Sequence, residues 1–233
     1  MGAQGVTDDF ERRREEAKKR IDRLDSRELE RQPDRKDFFD QVYEQAGGDA
    51  AAVPWADLQA KKQLADWLAD HAGAGRTAID VACGLGDNAE ALAAAGYRTT
   101  AFDLSRKAID WARQRFPDSP VDYRVADLLE LPRGWIGVFD LVHECYTIQS
   151  VAPSMHRAFT EAIASLVAPG GTLLVYTRLR PVGEAVDGPP WPLTEDEAGH
   201  FAHLGFELVN ETRFAFQRPD RTSPHVFAEW RRA

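Results

Sequence analysis

The chain has 233 residues, of which 43% are hydrophobic and 29% charged, a composition typical of a globular protein with one good core. Its 29 Lys and Arg against 38 Asp and Glu give a formal net charge of -9, which weighs against nucleic acid or an anionic membrane as a partner. The two cysteines indicate no disulfide framework, and no apolar run approaches the ~20 residues that span a bilayer. The first twenty residues lack the apolar segment of a signal peptide. We therefore expect a cytoplasmic protein, either a monomer or a homodimer.

Residues 1–36 differ from the rest of the chain, because acidic and basic side chains occur there in about equal number. Phe10, Ile21 and Leu24 are too sparse to form a wide apolar face. We predict a charged helical arm, solvated and stabilised by ion pairs four residues apart, that ends near Pro33. A docking or dimer helix is the alternative. Residues 37–233 are predicted to form the domain that carries the function.

Helical spacing of apolar residues comes first in this domain, in "DFFDQVYEQA" at residues 37–46 and in "WADLQAKKQLADWLADHA" at residues 55–72. From residue 77 short apolar runs alternate with helical segments, and Ser105 is placed to cap the helix that follows it. The predicted strands are "TAIDVA", "YRTTAFD", "VDYRVA", "VFDLVHE" and "TLLVYT", the last of them after the helix "SMHRAFTEAIASLVA" and the turn "PGG".

Repeated strand–helix–strand units predict an α/β fold with a doubly wound, mostly parallel, Rossmann-like sheet. The ending differs, because "FELVNETRFAF" and "HVFAEWRR" follow the helix "TEDEAGHFAHLG" with no crossover helix between them. Two such strands must pair antiparallel. The sequence therefore predicts seven strands with an antiparallel C-terminal strand, together with N-terminal helices.

The stretch "AIDVACGLGDNA" at residues 78–89 places Gly84 and Gly86 between a strand and a helix. Free backbone N–H groups and the positive end of the helix dipole meet at such a turn, which favours an anion or nucleotide site. Asp103 ends the next strand about twenty residues later, where a carboxylate accepts hydrogen bonds from both ribose hydroxyls. As an alternative, the glycines serve only tight packing.

Two further acids lie at strand ends near this loop. Asp80 would repel a pyrophosphate, but it is suited to order the loop or to reach a ligand's ammonium through water, unless it is a structural acid bonded to loop amides. Asp127 is followed by leucines, which suits an adenine amino group with its ring packed on apolar side chains. Capping of a turn is the alternative for Asp127.

Three acids at successive strand ends around one glycine loop resemble the class I S-adenosylmethionine-dependent methyltransferases. The resemblance covers most of residues 78–213 and includes "DVACGLG", "FDLVHECYT" and "LVAPGGTLLVYT". It implies S-adenosylmethionine as cofactor, S-adenosylhomocysteine as product, and no metal. Alanine stands at position 82, where the family often has a first glycine. The donor-binding residues that it implies are Asp80, Ala82, Gly84, Gly86, Asn88, Asp103, Leu104, Asp127, Leu128 and Glu144.

The segment "HECYT" follows the fourth strand, on the face where catalysis is expected. We predict His143, Glu144 and Tyr146 as catalytic residues, with His143 as a possible general base. A histidine that only lines the site and a structural role for Glu144 are the alternatives. Methyltransferases of protein or nucleic-acid amines often carry Asn/Asp-Pro-Pro-aromatic at this point, so "HECYTIQ" indicates a small-molecule acceptor.

Trp55, Arg178 and Trp191 are the predicted substrate-binding residues. The two tryptophans lie in loops beside prolines and suit an apolar cover over a flat ligand, while Arg178 suits an anionic acceptor. Ordinary loop packing is the alternative for the two tryptophans, and a surface salt bridge is the alternative for Arg178. The long loop after the fifth strand resembles the thiopurine and tellurite-type small-molecule methyltransferases.

The function predicted from the sequence is methyl transfer from S-adenosylmethionine to an S, N or O atom of a small molecule. Two other classes stay open. A nicotinamide-dependent oxidoreductase would be expected to carry a Tyr-x-x-x-Lys pair near the fourth and fifth strands, which this chain lacks. A nucleotide-binding regulatory protein would keep the glycine loop but would catalyse no reaction.

Overall fold

The structure is a computed structural model that describes residues 3–25, 35–184, 186, 188–217 and 222–233. The helices are α1 Ala3–Asp25, α2 Lys36–Ala46, α3 Lys62–Asp70, α4 Asp87–Ala94, α5 Arg106–Arg115, α6 Pro153–Leu166 and α7 Glu195–Ala198. The strands are β1 Thr77–Val81, β2 Arg98–Asp103, β3 Asp122–Val125, β4 Phe139–Cys145, β5 Val167–Arg178, β6 Phe206–Gln217 and β7 Thr222–Arg232. No helix in these ranges is long and apolar enough to cross a membrane.

The seven strands form one sheet in the order β3-β2-β1-β4-β5-β7-β6. Strands β1 to β5 are parallel, and β7 lies antiparallel between β5 and β6. The predicted fold class is therefore confirmed, including the antiparallel strand at the C-terminal end of the chain. The strand order changes direction between β1 and β4, which is where ligands bind in open α/β sheets.

Helices cover both faces of the sheet, as the apolar runs in its central strands require. On one face Leu64 and Leu68 of α3 and Leu92 of α4 pack with Leu141 and Leu174 of the sheet. On the other face α6 packs through side chains such as Ile163 and Leu166. Ser105 accepts a hydrogen bond from the Ala108 N–H and caps α5, as the sequence predicts.

Three predicted boundaries are wrong. The helix predicted for residues 55–72 begins only at Lys62, because Leu58 takes a left-handed φ of 55° that a helix excludes. The "PGG" turn lies inside β5, with Gly170 at φ 72°. The helix predicted for residues 194–205 is divided at Gly199 into α7 and a 3-10 turn, His200–Leu204.

Helix α1 is both charged and docked. The ion pairs Arg12–Glu16 and Arg13–Asp9, four residues apart, are present at 3.0 and 2.9 Å. Ala17 and Ile21 are nonetheless buried, and α1 contacts the turn at residues 50–52. Docking, the alternative for this segment, thus describes α1 better than full solvation. The break near Pro33 lies outside the described residues, and the division at residue 36 stays a prediction.

We expect Ile21→Ala to lower the free energy of unfolding by about 2 kcal/mol, because it removes a buried side chain. Lys19→Ala is the matched control, since Lys19 is an exposed neighbour on the same helix. Urea unfolding followed by circular dichroism measures both variants. Equal stabilities for the two would mean that α1 does not dock in solution.

Candidate functional site

Three carboxyl groups are buried close together at the carboxyl ends of neighbouring strands. Asp80 of β1, Asp103 of β2 and Glu144 of β4 are 1%, 6% and 0% exposed. Burying a carboxylate is costly unless hydrogen-bond donors surround it. The partners of these three groups therefore define the local structure of the site.

Asp103 fastens the glycine loop to the end of β2. Its Oδ2 accepts from the Gly84 N–H at 3.0 Å and its Oδ1 from the Ser105 N–H at 2.9 Å. Burial raises the pKa of Asp103 to about 6, and the two backbone hydrogen bonds limit that rise. Each oxygen of a carboxylate can accept a second hydrogen bond, so these contacts still leave acceptor capacity for ribose hydroxyls.

Asp80 is paired with His143 and not with loop amides. The two residues face each other across β1 and β4, and Oδ1 of Asp80 lies 2.7 Å from Nδ1 of His143. Oδ2 of Asp80 and Nε2 of His143 are buried without a hydrogen-bond partner. His143 has no exposed surface, so it contacts the site through Asp80, and the catalytic role predicted for it stays a prediction.

Glu144 fastens the turn that follows β4. Its Oε2 accepts from the Thr147 N–H at 2.9 Å, while its Oε1 is buried without a partner. Burial raises the pKa of Glu144 to about 7. Between Glu144 and Thr147, Tyr146 takes a φ of 64°. This left-handed conformation is uncommon outside glycine and concentrates at functional sites.

Three N–H groups of the glycine loop are bonded within the protein. The Cys83 N–H donates to the Phe102 carbonyl at 2.9 Å, and the Gly86 N–H to the Cys83 carbonyl at 3.0 Å. With Gly84 bonded to Asp103, these amides are already satisfied, contrary to the expectation of free donors. Ala82 fits the place of the absent glycine at φ 50° and is exposed.

Close packing against Tyr123 explains why position 86 is a glycine. Its φ is 91°, and an added Cβ would clash with the hydroxyl of Tyr123. This hydroxyl donates to Glu90 at 2.6 Å. The packing alternative thus accounts for Gly86, whereas a Cβ at Gly84 would meet only the hydroxyl of Tyr43, at 3.2 Å.

Helix α2 lies across the ends of three strands. Lys36 forms an ion pair with Asp127 after β3, and Asp40 accepts from the Ser105 hydroxyl at 2.6 Å after β2. Tyr43 faces Gly84 after β1. Residues spaced by four and three share one helix face, so this face of α2 covers what we call the donor half of the site.

The predicted adenine acid and its neighbours lie at the edge of this donor half. Asp127 accepts from the Leu129 N–H at 2.9 Å, which is the turn-capping alternative, in addition to its pair with Lys36. Leu128 is buried beside it. Leu104 lines a cleft of about 240 Å³ between α2 and the start of α5.

A second group of side chains lies at the ends of β4 and β5. The ring of Tyr146 has the ammonium of Lys61 4.9 Å and the guanidinium of Arg178 5.5 Å from its centroid. Asn88, at the start of α4, accepts from the Lys61 N–H at 3.0 Å. Asn88 therefore connects the glycine loop to this group, which we call the acceptor half.

The two predicted tryptophans lie on different parts of the site. Trp55 is beneath α2, where its indole N–H donates to the Tyr43 hydroxyl at 2.8 Å. The Trp191 N–H donates to the carbonyl of Gln149 at 2.8 Å, and the side-chain oxygen of Gln149 accepts from the Arg178 N–H at 2.8 Å. Trp191 is thus held beside the acceptor half, and Trp55 belongs to the donor half.

Sequence reasoning missed Tyr43, Lys61 and Gln149. Tyr43 was only one apolar position of a helix, and Lys61 only one of two lysines in a presumed helix. The irregular segment before α3 that positions Lys61 gives no clear signal in the sequence. Gln149 acts through a side-chain amide in a loop, which no periodicity marks.

The fold, and the acids at the ends of its strands, are similar to those of class I S-adenosylmethionine-dependent methyltransferase domains. A glycine loop follows β1, acids end β2 and follow β3, and the sheet closes with an antiparallel β7. Residues 78–171 match the family model described as a methyltransferase domain. In the described part of the chain no cluster of His, Cys, Asp and Glu is arranged to hold a metal ion.

Curated relatives match about half of the chain. A ubiquinone biosynthesis O-methyltransferase of Aromatoleum aromaticum is 37% identical over 115 residues, covering 48% of this chain and 48% of that protein. One from Bordetella avium is 34% identical over 116 residues, covering 48% and 47%. The chain therefore spans about half the length of the curated relatives it matches.

A solved methyltransferase structure extends the similarity over most of the chain. Magnesium protoporphyrin IX methyltransferase from Synechocystis PCC 6803, with bound S-adenosylhomocysteine, has a TM-score of 0.66 and 18% identity, covering 85% of this chain and 99% of that chain. At this identity the similarity supports the fold.

We expect Gly86→Ala to destabilise the protein by about 2 kcal/mol more than Gly48→Ala, because only the first adds a steric clash. Gly48 is the matched control, since its φ of 89° is similar but its surroundings are open. Adding Tyr123→Phe to Gly86→Ala should recover part of the difference. Urea unfolding provides the values, and equal losses at the two glycines would contradict the packing explanation.

We expect Glu144→Gln to gain stability relative to the wild type as the pH rises from 5 to 8. The folded pKa of about 7 lies above the ordinary 4.5, so the folded state binds the proton more tightly, and ionising Glu144 costs stability across this window. Unfolding in urea at both pH values tests this. Glu130→Gln, at an exposed position, should show no such trend. If the difference in stability between Glu144→Gln and the wild type were the same at both pH values, the burial argument would be contradicted.

Proposed function

We propose that this protein transfers a methyl group from S-adenosylmethionine to a small-molecule acceptor and releases S-adenosylhomocysteine. The observation that carries this proposal is the cluster of buried acids in the donor half. Asp80, Asp103 and Glu144 are buried together there, and the loop amides at residues 83, 84 and 86 are bonded within the protein. Such a site suits a ligand with positive charge and hydroxyls, and disfavours a pyrophosphate.

The residues of the donor half fit the parts of S-adenosylmethionine. We assign the ribose hydroxyls to Asp103 and the adenine amino group to Asp127, with Leu104 and Leu128 against the ring. The unpartnered oxygens of Asp80 and Glu144 are acceptors suited to the ligand's positive end. We assign Gly84 and Ala82 to the part of the glycine loop that contacts the donor. Asn88 lies at the side of this loop that adjoins Lys61.

The bound donor supplies an electrophilic methyl group on a positively charged sulfur that leaves as a neutral thioether. The chain's own task is to align the acceptor and exclude water. Among the predicted catalytic residues Tyr146 is partly exposed, whereas His143 and Glu144 are fully buried. We therefore propose that Tyr146 contacts the acceptor, and that His143 and Glu144 act by holding Asp80 and the turn after β4.

The rival classes are less well supported. A nicotinamide dinucleotide would bring its pyrophosphate to buried carboxylates and to amides already in use. A regulatory protein without turnover would share the donor half, so it is separated only by a test for product. The curated relatives are O-methyltransferases by name. Methylation at S, N or O, and the finer resemblance to thiopurine and tellurite-type enzymes, stay predictions.

The testing experiment is calorimetric titration with S-adenosylmethionine, S-adenosylhomocysteine and NAD. We expect binding of the first two alone. Asp103→Asn should weaken their binding about tenfold or more, because ribose hydroxyls lose an acceptor. Asp118→Asn, at an exposed position, is the matched control, and thermal melting confirms that both variants fold.

Two results would overturn the proposal. Binding of NAD alone would replace the methyl donor with a dinucleotide. Binding of S-adenosylmethionine with no methylated product from any thiol, amine or phenol would favour the regulatory class. Unchanged affinity in Asp103→Asn would remove only the ribose assignment.

A further inference from the structure

The acceptor half combines positive charge with aromatic rings, in a protein whose net charge is -9. The side chain of Lys61 is only 16% exposed and forms an ion pair with Asp57. Asp57 is shared with Arg14 of α1, at 2.5 Å. Two cations thus use one carboxylate, which leaves this corner of the site suited to a further negative charge.

The same corner offers the partly exposed ring of Tyr146, supported from below by the buried rings of Tyr176 and His225. The rings of Tyr146 and Tyr176 are 5.0 Å apart, and that of His225 lies 5.7 Å from Tyr146. The ammonium of Lys61 is 4.9 Å from the centroid of Tyr146 and 5.5 Å from that of Tyr176. An ammonium has three N–H donors, and its stem can lie along rings while its head binds an anion.

The position of Lys61 is fixed by the structure that forms the donor half. Its N–H donates to Asn88 in the first turn of α4, and its side chain reaches Tyr146 after β4. Arg178 at the end of β5 brings a second cation to the same ring, 5.5 Å from its centroid. The two cations therefore lie beside Tyr146, the residue that we propose contacts the acceptor.

We propose that Lys61, Tyr146 and Arg178 bind the anionic oxygen group of an aromatic acceptor, so that the substrates of this enzyme are ring compounds carrying a negative charge. This inference rests on the proposed function and names the acceptor class for that site. Lys61 and Arg178 hold the anion, while the partly exposed ring of Tyr146 contacts the aromatic ring of the acceptor. A positively charged acceptor would be repelled by the ammonium at this position.

The test compares acceptors that differ only in charge. Hydroxybenzoates and hydroxycinnamates are titrated against their carboxamides by calorimetry, with saturating S-adenosylhomocysteine present. We expect at least one acid to bind about tenfold more tightly than its amide. Lys61→Met should abolish that preference without changing the affinity for S-adenosylhomocysteine. Lys61→Arg should keep part of it.

Lys62→Met is the matched control, because Lys62 is the next residue, is 78% exposed and pairs with Asp66 at 2.5 Å. It should keep the full preference for the acid. A fall in the binding of acid and amide by the same factor in Lys61→Met would indicate a structural role and overturn the inference.

The remaining outcomes separate this inference from the proposed function. If S-adenosylhomocysteine binds but no acid binds better than its amide, the acceptor class is wrong while the donor assignment stands. If Lys61→Met weakens S-adenosylhomocysteine instead, the cations bind the carboxylate of the donor, and the inference fails. If the wild type does not bind S-adenosylhomocysteine at all, it is the proposed function that fails.

Discussion

The burial of three carboxyl groups at the ends of β1, β2 and β4 is the constraint on which the site depends. Each buried carboxyl group needs at least one donor, and for two of them the donors come from the turns that leave the strands: Gly84 and Ser105 for Asp103, and Thr147 for Glu144. Asp80 takes its donor from His143 on the adjacent strand. The acids therefore shape the loops before any ligand arrives, and the left-handed residues near them allow the backbone to reach them.

This arrangement separates two uses of a glycine loop that look alike in sequence. A phosphate-binding loop keeps its N–H groups free for the ligand, whereas here those of Cys83, Gly84 and Gly86 donate to Asp103 and to backbone carbonyls. What remains for a ligand is acceptor capacity, because oxygens of Asp80 and Glu144 have no partner. The polarity of the site is thus the opposite of that in a dinucleotide site built on a similar turn.

Local patterns predicted the fold well, and contacts between distant segments were the part that they did not reveal. Strand–helix alternation and the terminal pair of strands led to the correct sheet, and the positions of Asp80 and Asp103 followed from strand ends. The partner of Asp80, the clash partner of Gly86 and the role of Gln149 depend on residues 28 to 63 positions away or on a facing strand. Periodicity carries no information about such pairs, so the sequence placed His143 at the site without showing that it is buried against Asp80.

The charged helix α1 is connected to the acceptor half through Arg14. Arg14 donates to the Pro54 carbonyl at 3.1 Å and shares Asp57 with Lys61. A lysine paired with its own carboxylate is a neutral unit, and a second cation on that carboxylate restores positive charge beside Tyr146. Burial of Ala17 and Ile21 holds Arg14 in place. The arm therefore contributes to the electrostatics of the acceptor half as well as to packing, since without Arg14 the charge of Lys61 would be balanced by Asp57 alone.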